Sequence, residues 1–205
     1  MKNPLMYQST EYDCGPTSMI NAINYLYNRK DIYPEVIRNI MLYSLDSYNR
    51  NGEAHKSGTT GMAMIFISSW LNQFGKVKKW PIYSEAINGE KVQVGQHTKI
   101  AEAIGQGGVV VAKVMLGWWH YVLITGIDKE YVYLFDPYYR EKSFNTEGLE
   151  IITNAPKKMN RKVKHEIMNS EGKENYALGK IDSREMVILF NSKTRICMDS
   201  IEYMI

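Results

Sequence analysis

Gln8-Ser9-Thr10-Glu11-Tyr12-Asp13-Cys14-Gly15-Pro16-Thr17-Ser18 is a polar run that ends where an apolar helical pattern begins. Asp13 reads as the N-cap of a helix over about 14–28, and Pro16 falls in the first turn, where proline is tolerated. Met19, Ile20, Ile23, Leu26 and Tyr27 recur at three- and four-residue steps, which anchors one face of that helix in a core. Its N-terminal amides then point at Cys14. A thiol is a strong nucleophile only as thiolate, and a helix N-terminus beside an imidazolium favours that form. Gln8, six positions upstream, carries an amide able to donate to a developing oxyanion.

A thiol site also needs a base and a group that holds the base in one tautomer. His120 and Asp136 are the candidates. His120 opens a strand-like run that continues Tyr121-Val122-Leu123-Ile124, and Asp136 follows Phe135 and precedes Pro137, where a strand ends. A hairpin turning at Asp128-Lys129-Glu130 has its centre near position 129, so reflection places 138 opposite 120. Asp136 is two residues from that point, within side-chain reach of His120 on one face. The other histidines have poorer surroundings. His55 lies in a polar loop, His97 near a helix start, and His165 in a basic cluster.

Outward from these residues, Pro34 opens a second helix with Val36, Ile37, Ile40 and Met41 on one side. A third follows Thr59 and Thr60, carries Met62, Ile65, Phe66, Trp70, Leu71 and Phe74, and stops at Gly75. These stripes read as core. Strands are expected over 77–83, 109–115, 120–127, 131–135 and 186–190, a weaker one over 195–201, and a short helix over 97–104. Gly107-Gly108 reads as a turn before a buried strand. Helices first and an antiparallel meander afterwards predict an α+β fold. The reading is one domain over 1–205: a core about 6–139, a poorly legible insertion over 143–182 and closing strands over 183–205. The insertion holds the basic cluster Lys157, Lys158, Arg161, Lys162 and Lys164. That cluster is either a solvated face or a docking surface for a partner at 157–164.

Composition excludes several classes. At 205 residues, 44% hydrophobic and 23% charged, the chain can bury a core without bridges or metal. A net charge of +3, spread along the chain, gives no reason to invoke nucleic acid. No apolar run reaches the ~18 residues of a membrane span. The first residues, Met1-Lys2-Asn3-Pro4, contain no signal-peptide core, so the chain reads as cytoplasmic. Two cysteines and four scattered histidines show no zinc spacing, and no cofactor motif is evident. Cys197, between Ile196 and Met198, reads as a buried small hydrophobe.

The stretch 8–18, together with His120-Tyr121-Val122-Leu123-Ile124-Thr125-Gly126 and Phe135-Asp136-Pro137, resembles the bacteriocin-processing peptidases. These are papain-like cysteine peptidases that cut leader peptides after a double glycine. The similarity covers about 6–139. It implies a papain-like fold with the Cys helix packed on an antiparallel sheet bearing His and Asp. Carried over, Cys14 is the nucleophile and gives a backbone amide to the oxyanion hole, and Gln8 gives a second donor. His120 is base and then acid, and Asp136 orients it. The family's membrane exporter and ATPase portions have no counterpart here. A peptide or protein is then the substrate. Trp118, Trp119 and Tyr138, with Tyr121 and Tyr139, are either a substrate wall or aromatic core at strand ends. Acyl transfer or deamidation through the same thioester, and a catalytically silent peptide-binding module, are the alternative readings.

Overall fold

The computed structural model describes residues 1–196. Among them are five α-helices and seven strands: α1 Cys14–Leu26, α2 Pro34–Ser44, α3 Gly61–Lys78, β1 Ile82–Asn88, α4 Lys99–Gly105, β2 Val109–Leu116, β3 Trp118–Ile127, β4 Tyr131–Phe135, β5 Leu149–Ile151, β6 Arg161–Lys164, α5 His165–Asn169 and β7 Glu185–Asn191. The strands form one antiparallel sheet in the order β1-β7-β2-β3-β4-β6-β5. This is the α+β architecture expected from the sequence.

The sheet is covered on both faces. Val109, Val111, Tyr121, Leu123, Phe135, Val187 and Leu189 pack with the buried sides of α1, α2 and α3. The alternate residues Val110, Ala112, Val114, Val122, Ile124, Leu134 and Ile188 pack with Ile100 of α4, Met168 of α5, and Tyr176 and Leu178. Burial on both faces explains why β2 reads as an unbroken apolar run, Val109-Val110-Val111-Ala112, and not as an alternation.

Several expectations need correction. α1 ends at Leu26, because Tyr27 is already extended and its hydroxyl donates to the Pro81 carbonyl. This helix is not amphipathic. Ser18, Asn21 and Asn24 are as buried as its apolar stripe, and each is hydrogen-bonded. α3 does not stop at Gly75 but runs to Lys78, with Lys79 left-handed at its end. Gly75 serves close packing instead: a Cβ there would lie 2.6 Å from Ile82 Cγ2 and 2.9 Å from the Trp80 carbonyl. The longer helix displaces the strand expected over 77–83, which begins only at Ile82. The stripe of α3 also splits, since Leu71 is buried while Met62, Ile65 and Phe66 are exposed.

The 143–182 stretch holds β5, β6 and α5 and extends the sheet beyond β4. Arg195 and Ile196 are not in a strand, and the rest of the strand expected over 195–201, with Cys197, lies outside the described residues. Among the described residues, no helix is long and apolar enough to cross a membrane. None of their His, Cys, Asp and Glu side chains gather in threes that could hold a metal ion.

Candidate active site

Asp13 does not cap α1. Its backbone (φ −97°, ψ 22°) is not the extended conformation an N-cap needs, and its side chain makes no capping bond. The carboxylate turns back and accepts from the Ser9 amide (3.0 Å), the Thr10 amide (2.7 Å) and the Thr10 hydroxyl (2.7 Å). Burial works against the charge, but these bonds outweigh it and hold the carboxyl below its usual range. Residues 9–12 are thereby folded into a tight loop that sets Gln8 beside the helix tip.

Two further anchors fix that strand of chain. Asn21 of α1 accepts from the Met6 amide at 2.8 Å and donates to the Met6 carbonyl at 2.9 Å. The Gln8 amide donates to the Pro137 carbonyl at 2.9 Å, joining this segment to the loop that follows Asp136. The side-chain Nε2 of Gln8 donates to the Thr10 carbonyl at 2.7 Å, and its Oε1 is buried without a partner.

On the other side of α1, Gly15 lets the 57–60 loop close in. A Cβ at Gly15 would sit 2.3 Å from Thr59 Oγ1. Ser18 donates to the Tyr121 carbonyl at 3.0 Å and so ties the first turn of the helix to β3 next to His120.

The β3–β4 hairpin has the register that reflection about 129 requires. Leu123 faces Phe135 and Ile124 faces Leu134, with a one-residue irregularity before Gly126 faces Tyr133. The turn itself is tighter than the centre suggests, because Asp128 accepts from the amides of both Glu130 and Tyr131. The bulge supplies the half-step that moves the centre to 129. His120 Nε2 donates to Asp136 Oδ1 at 2.7 Å. Its other ring nitrogen, Nδ1, remains for Cys14, whose sulfur lies close enough to act on the imidazole and lines the same cleft. Burial disfavours the imidazolium, yet the carboxylate of Asp136 and the sulfur of Cys14 outweigh it and raise the His120 pKa.

Asp136 is fully buried and unusually well held. Tyr176 donates its hydroxyl to Oδ2 at 2.5 Å, and the Tyr138 amide donates to Oδ1 at 2.7 Å. Asn160 clamps the backbone, accepting from the Asp136 amide at 2.7 Å and donating to its carbonyl at 2.8 Å. Burial pushes the carboxyl pKa up, but the His120 charge and hydrogen bond, with Tyr176 and the Tyr138 amide, bring it below its usual range.

Cys14, His120 and Gln8 open onto a cleft of about 910 Å³, also lined by Trp118, Trp119, Tyr121 and Tyr138. Trp118 is 77% exposed and Tyr138 48%, so neither is core at a strand end. Tyr139 does not line this cleft and packs edge-on against Tyr7 at 5.1 Å. His55, His97 and His165 are not on its wall either.

Four side chains of the site escape sequence reasoning: Asn160, Arg161, Tyr176 and Glu185. Glu185 lies against the first turn of α3, takes the Tyr121 hydroxyl, and pairs with Lys113 at 3.1 Å. Arg161 belongs to the basic cluster, but it is 2% exposed and so cannot serve a docking surface, unlike Lys157 and Lys158. Strand alternation carries its signal: in β6, Arg161 and Val163 point inward and Lys162 and Lys164 outward. Tyr176 sits outside any periodic element, and nothing in its neighbours marks it.

The chain is similar to a known family: the model described as Peptidase_C39 like family matches residues 2–160. No curated protein matches it.

Proposed function

The chain belongs to the Peptidase_C39 like family, with the papain-like α+β fold, and from that premise we propose that it cleaves peptide bonds with Cys14 as nucleophile. His120 takes the thiol proton, and the sulfur attacks a peptide carbonyl bound in the cleft. The helix N-terminus favours negative charge at this point. Gln8 and the Cys14 amide receive the oxyanion; one Nε2 hydrogen of Gln8 bonds to Thr10, which leaves a second for this purpose. His120 then protonates the leaving amine, and the thioester forms. Water, activated by the now neutral His120, attacks the thioester, and the released thiolate recovers its proton from the imidazolium. Asp136 keeps Nε2 of the ring as donor and Nδ1 facing the sulfur throughout.

One observation supports the reading above the others: His120 lies between the Asp136 carboxylate and the Cys14 sulfur at the wall of an open cleft. Trp118, Trp119 and Tyr138 are well placed there to hold an extended peptide, and a small-residue site of the leader-peptide kind would suit such aromatic walls.

The test is a peptide library screened by mass with wild type and Cys14→Ala. Wild type is expected to give cleaved products, each bond opened with addition of one water, and Cys14→Ala none. Processing by Cys14→Ala at the wild-type rate refutes the assignment. Products shifted by about one mass unit without cleavage would mean deamidation, and a new amide bond would mean acyl transfer, both through the same thioester. Intact peptide recovered from a tight wild-type complex would mean a binding module.

A further inference from the structure

We propose that Arg161 is a positioning residue of the site, the fixed cation that completes a buried row of alternating charges: Cys14, His120, Asp136 and, through the Tyr176 hydroxyl, Arg161. The proposal deepens the peptidase reading and rests on it for the meaning of the two outer states.

The geometry is continuous. Arg161 Nε donates to the Tyr176 oxygen at 3.0 Å, and Tyr176 passes its own hydrogen to Asp136 Oδ2 at 2.5 Å. Nη1 and Nη2 each donate to a neutral acceptor, the Asn160 carbonyl at 2.8 Å and the Tyr138 carbonyl at 3.1 Å. None of these acceptors carries a charge. A guanidinium only 2% exposed needs a counter-anion, and Asp136 is the anion one phenol away. Tyr176 remains a phenol. Burial and the Asp136 charge both oppose its ionisation, and Arg161 only partly offsets them. Its backbone supports a special role, since a fully buried tyrosine is held at φ +69°.

The surrounding charges leave no substitute for Arg161. His120 on β3 faces Asp136 from one side, with Cys14 of α1 acting on the same ring. Asn160 and Tyr138 bring only neutral groups. Arg140 lies beyond the Phe144 ring, 4.4 Å from its centroid, and donates to the Lys142 carbonyl. Across the cleft, Lys113 and Glu185 pair with each other.

A permanent cation has a consequence for the cycle. While Cys14 is a thiolate, the imidazolium balances Asp136. Once Cys14 carries the acyl group, His120 must be neutral to accept a proton from water, and Asp136 becomes a buried anion with no imidazolium. Arg161, which does not deprotonate, balances it in that state. Without it the carboxylate would hold the His120 proton more tightly.

The experiment follows the His120 ring signals by NMR titration in wild type, Arg161→Gln, Arg161→Lys and Tyr176→Phe. Removing a nearby positive charge raises the pKa of every neighbouring group. Arg161→Gln should therefore move the His120 titration up by about one pH unit, and Tyr176→Phe, which loses only the bridging donor, should move it up by less. Arg161→Lys keeps the charge and should titrate close to wild type. On peptide substrate, the acid limb of kcat in Arg161→Gln should move to higher pH with little change in KM. A titration unchanged in Arg161→Gln overturns the proposal, as does an equal shift in Arg161→Lys. So does an unchanged titration in Tyr176→Phe, which keeps the ring and remains the test should Arg161→Gln fail to fold. The titration needs no turnover: if it shifts as expected while wild type cleaves nothing, the charge row stands and the peptidase reading falls.

Discussion

Asp13 shows how one carboxylate can build a site without touching its chemistry. Charge-assisted bonds of this kind contribute about 1.5–3 kcal/mol each, though not additively. Asp13→Ala is therefore expected to lower stability by about 2 kcal/mol, read as a lower urea midpoint at neutral pH. The pH dependence has a definite sign. The folded carboxyl titrates below its unfolded value, so its contribution is complete above about pH 4–5 and is lost as pH falls through the folded pKa. Wild type should lose more stability than Asp13→Ala between pH 5 and pH 2; parallel losses would exclude the role. At this scale the sequence was informative where few residue types suit a position, as with His120 and Asp136, which the structure joins at 2.7 Å, and with Gln8 and Cys14, which line one cleft with His120. It misled where one residue type serves two geometries. An aspartate before a helix reads as a cap, and only its backbone angles show that it braces the loop behind. An arginine among lysines reads as solvated, and only the inward side of β6 shows that it is not.

Among the elements, β2, β3 and β4 were the most legible, because β-branched runs with short polar turns have few other uses. The end of α3 was the least, since a glycine near a helix terminus has two meanings. Here Gly75 is where β1 and the chain after the helix approach the helix backbone, and the Trp80 amide returns to its carbonyl at 2.9 Å. Gly75→Ala improves helix propensity yet inserts a methyl where backbone and Ile82 stand. The expected net effect is a loss of about 1–3 kcal/mol in denaturant unfolding. A gain in stability would restore Gly75 to an ordinary helix position. The hairpin teaches a similar lesson about register: reflection about the turn succeeded only because the bulge at Thr125 offset a tighter turn.

For the molecule as a whole, the fold class was legible from the order of helices and strands, but strand order was not. β7 comes late in sequence yet lies between β1 and β2, where Val187 and Leu189 enter one core and Met186 and Ile188 the other. No local pattern encodes that insertion, which depends on which faces remain unpaired once the hairpins have formed. A chain ending at residue 160 keeps the stretch matched by the family but loses β6, β7 and Tyr176. It is expected to show no cooperative melting transition and to lose its near-UV circular dichroism; a sharp melt would mean that β1 can stand alone. The same insertion orders events at the ribosome. The Cys14 sulfur is translated early and the Tyr176 phenol that holds Asp136 very late, an interval on the order of ten to thirty seconds at ordinary elongation rates. Until β7 and Tyr176 emerge, β1 has no strand partner and Asp136 lacks the phenol that holds it, so the buttress behind the imidazole is completed only late in synthesis.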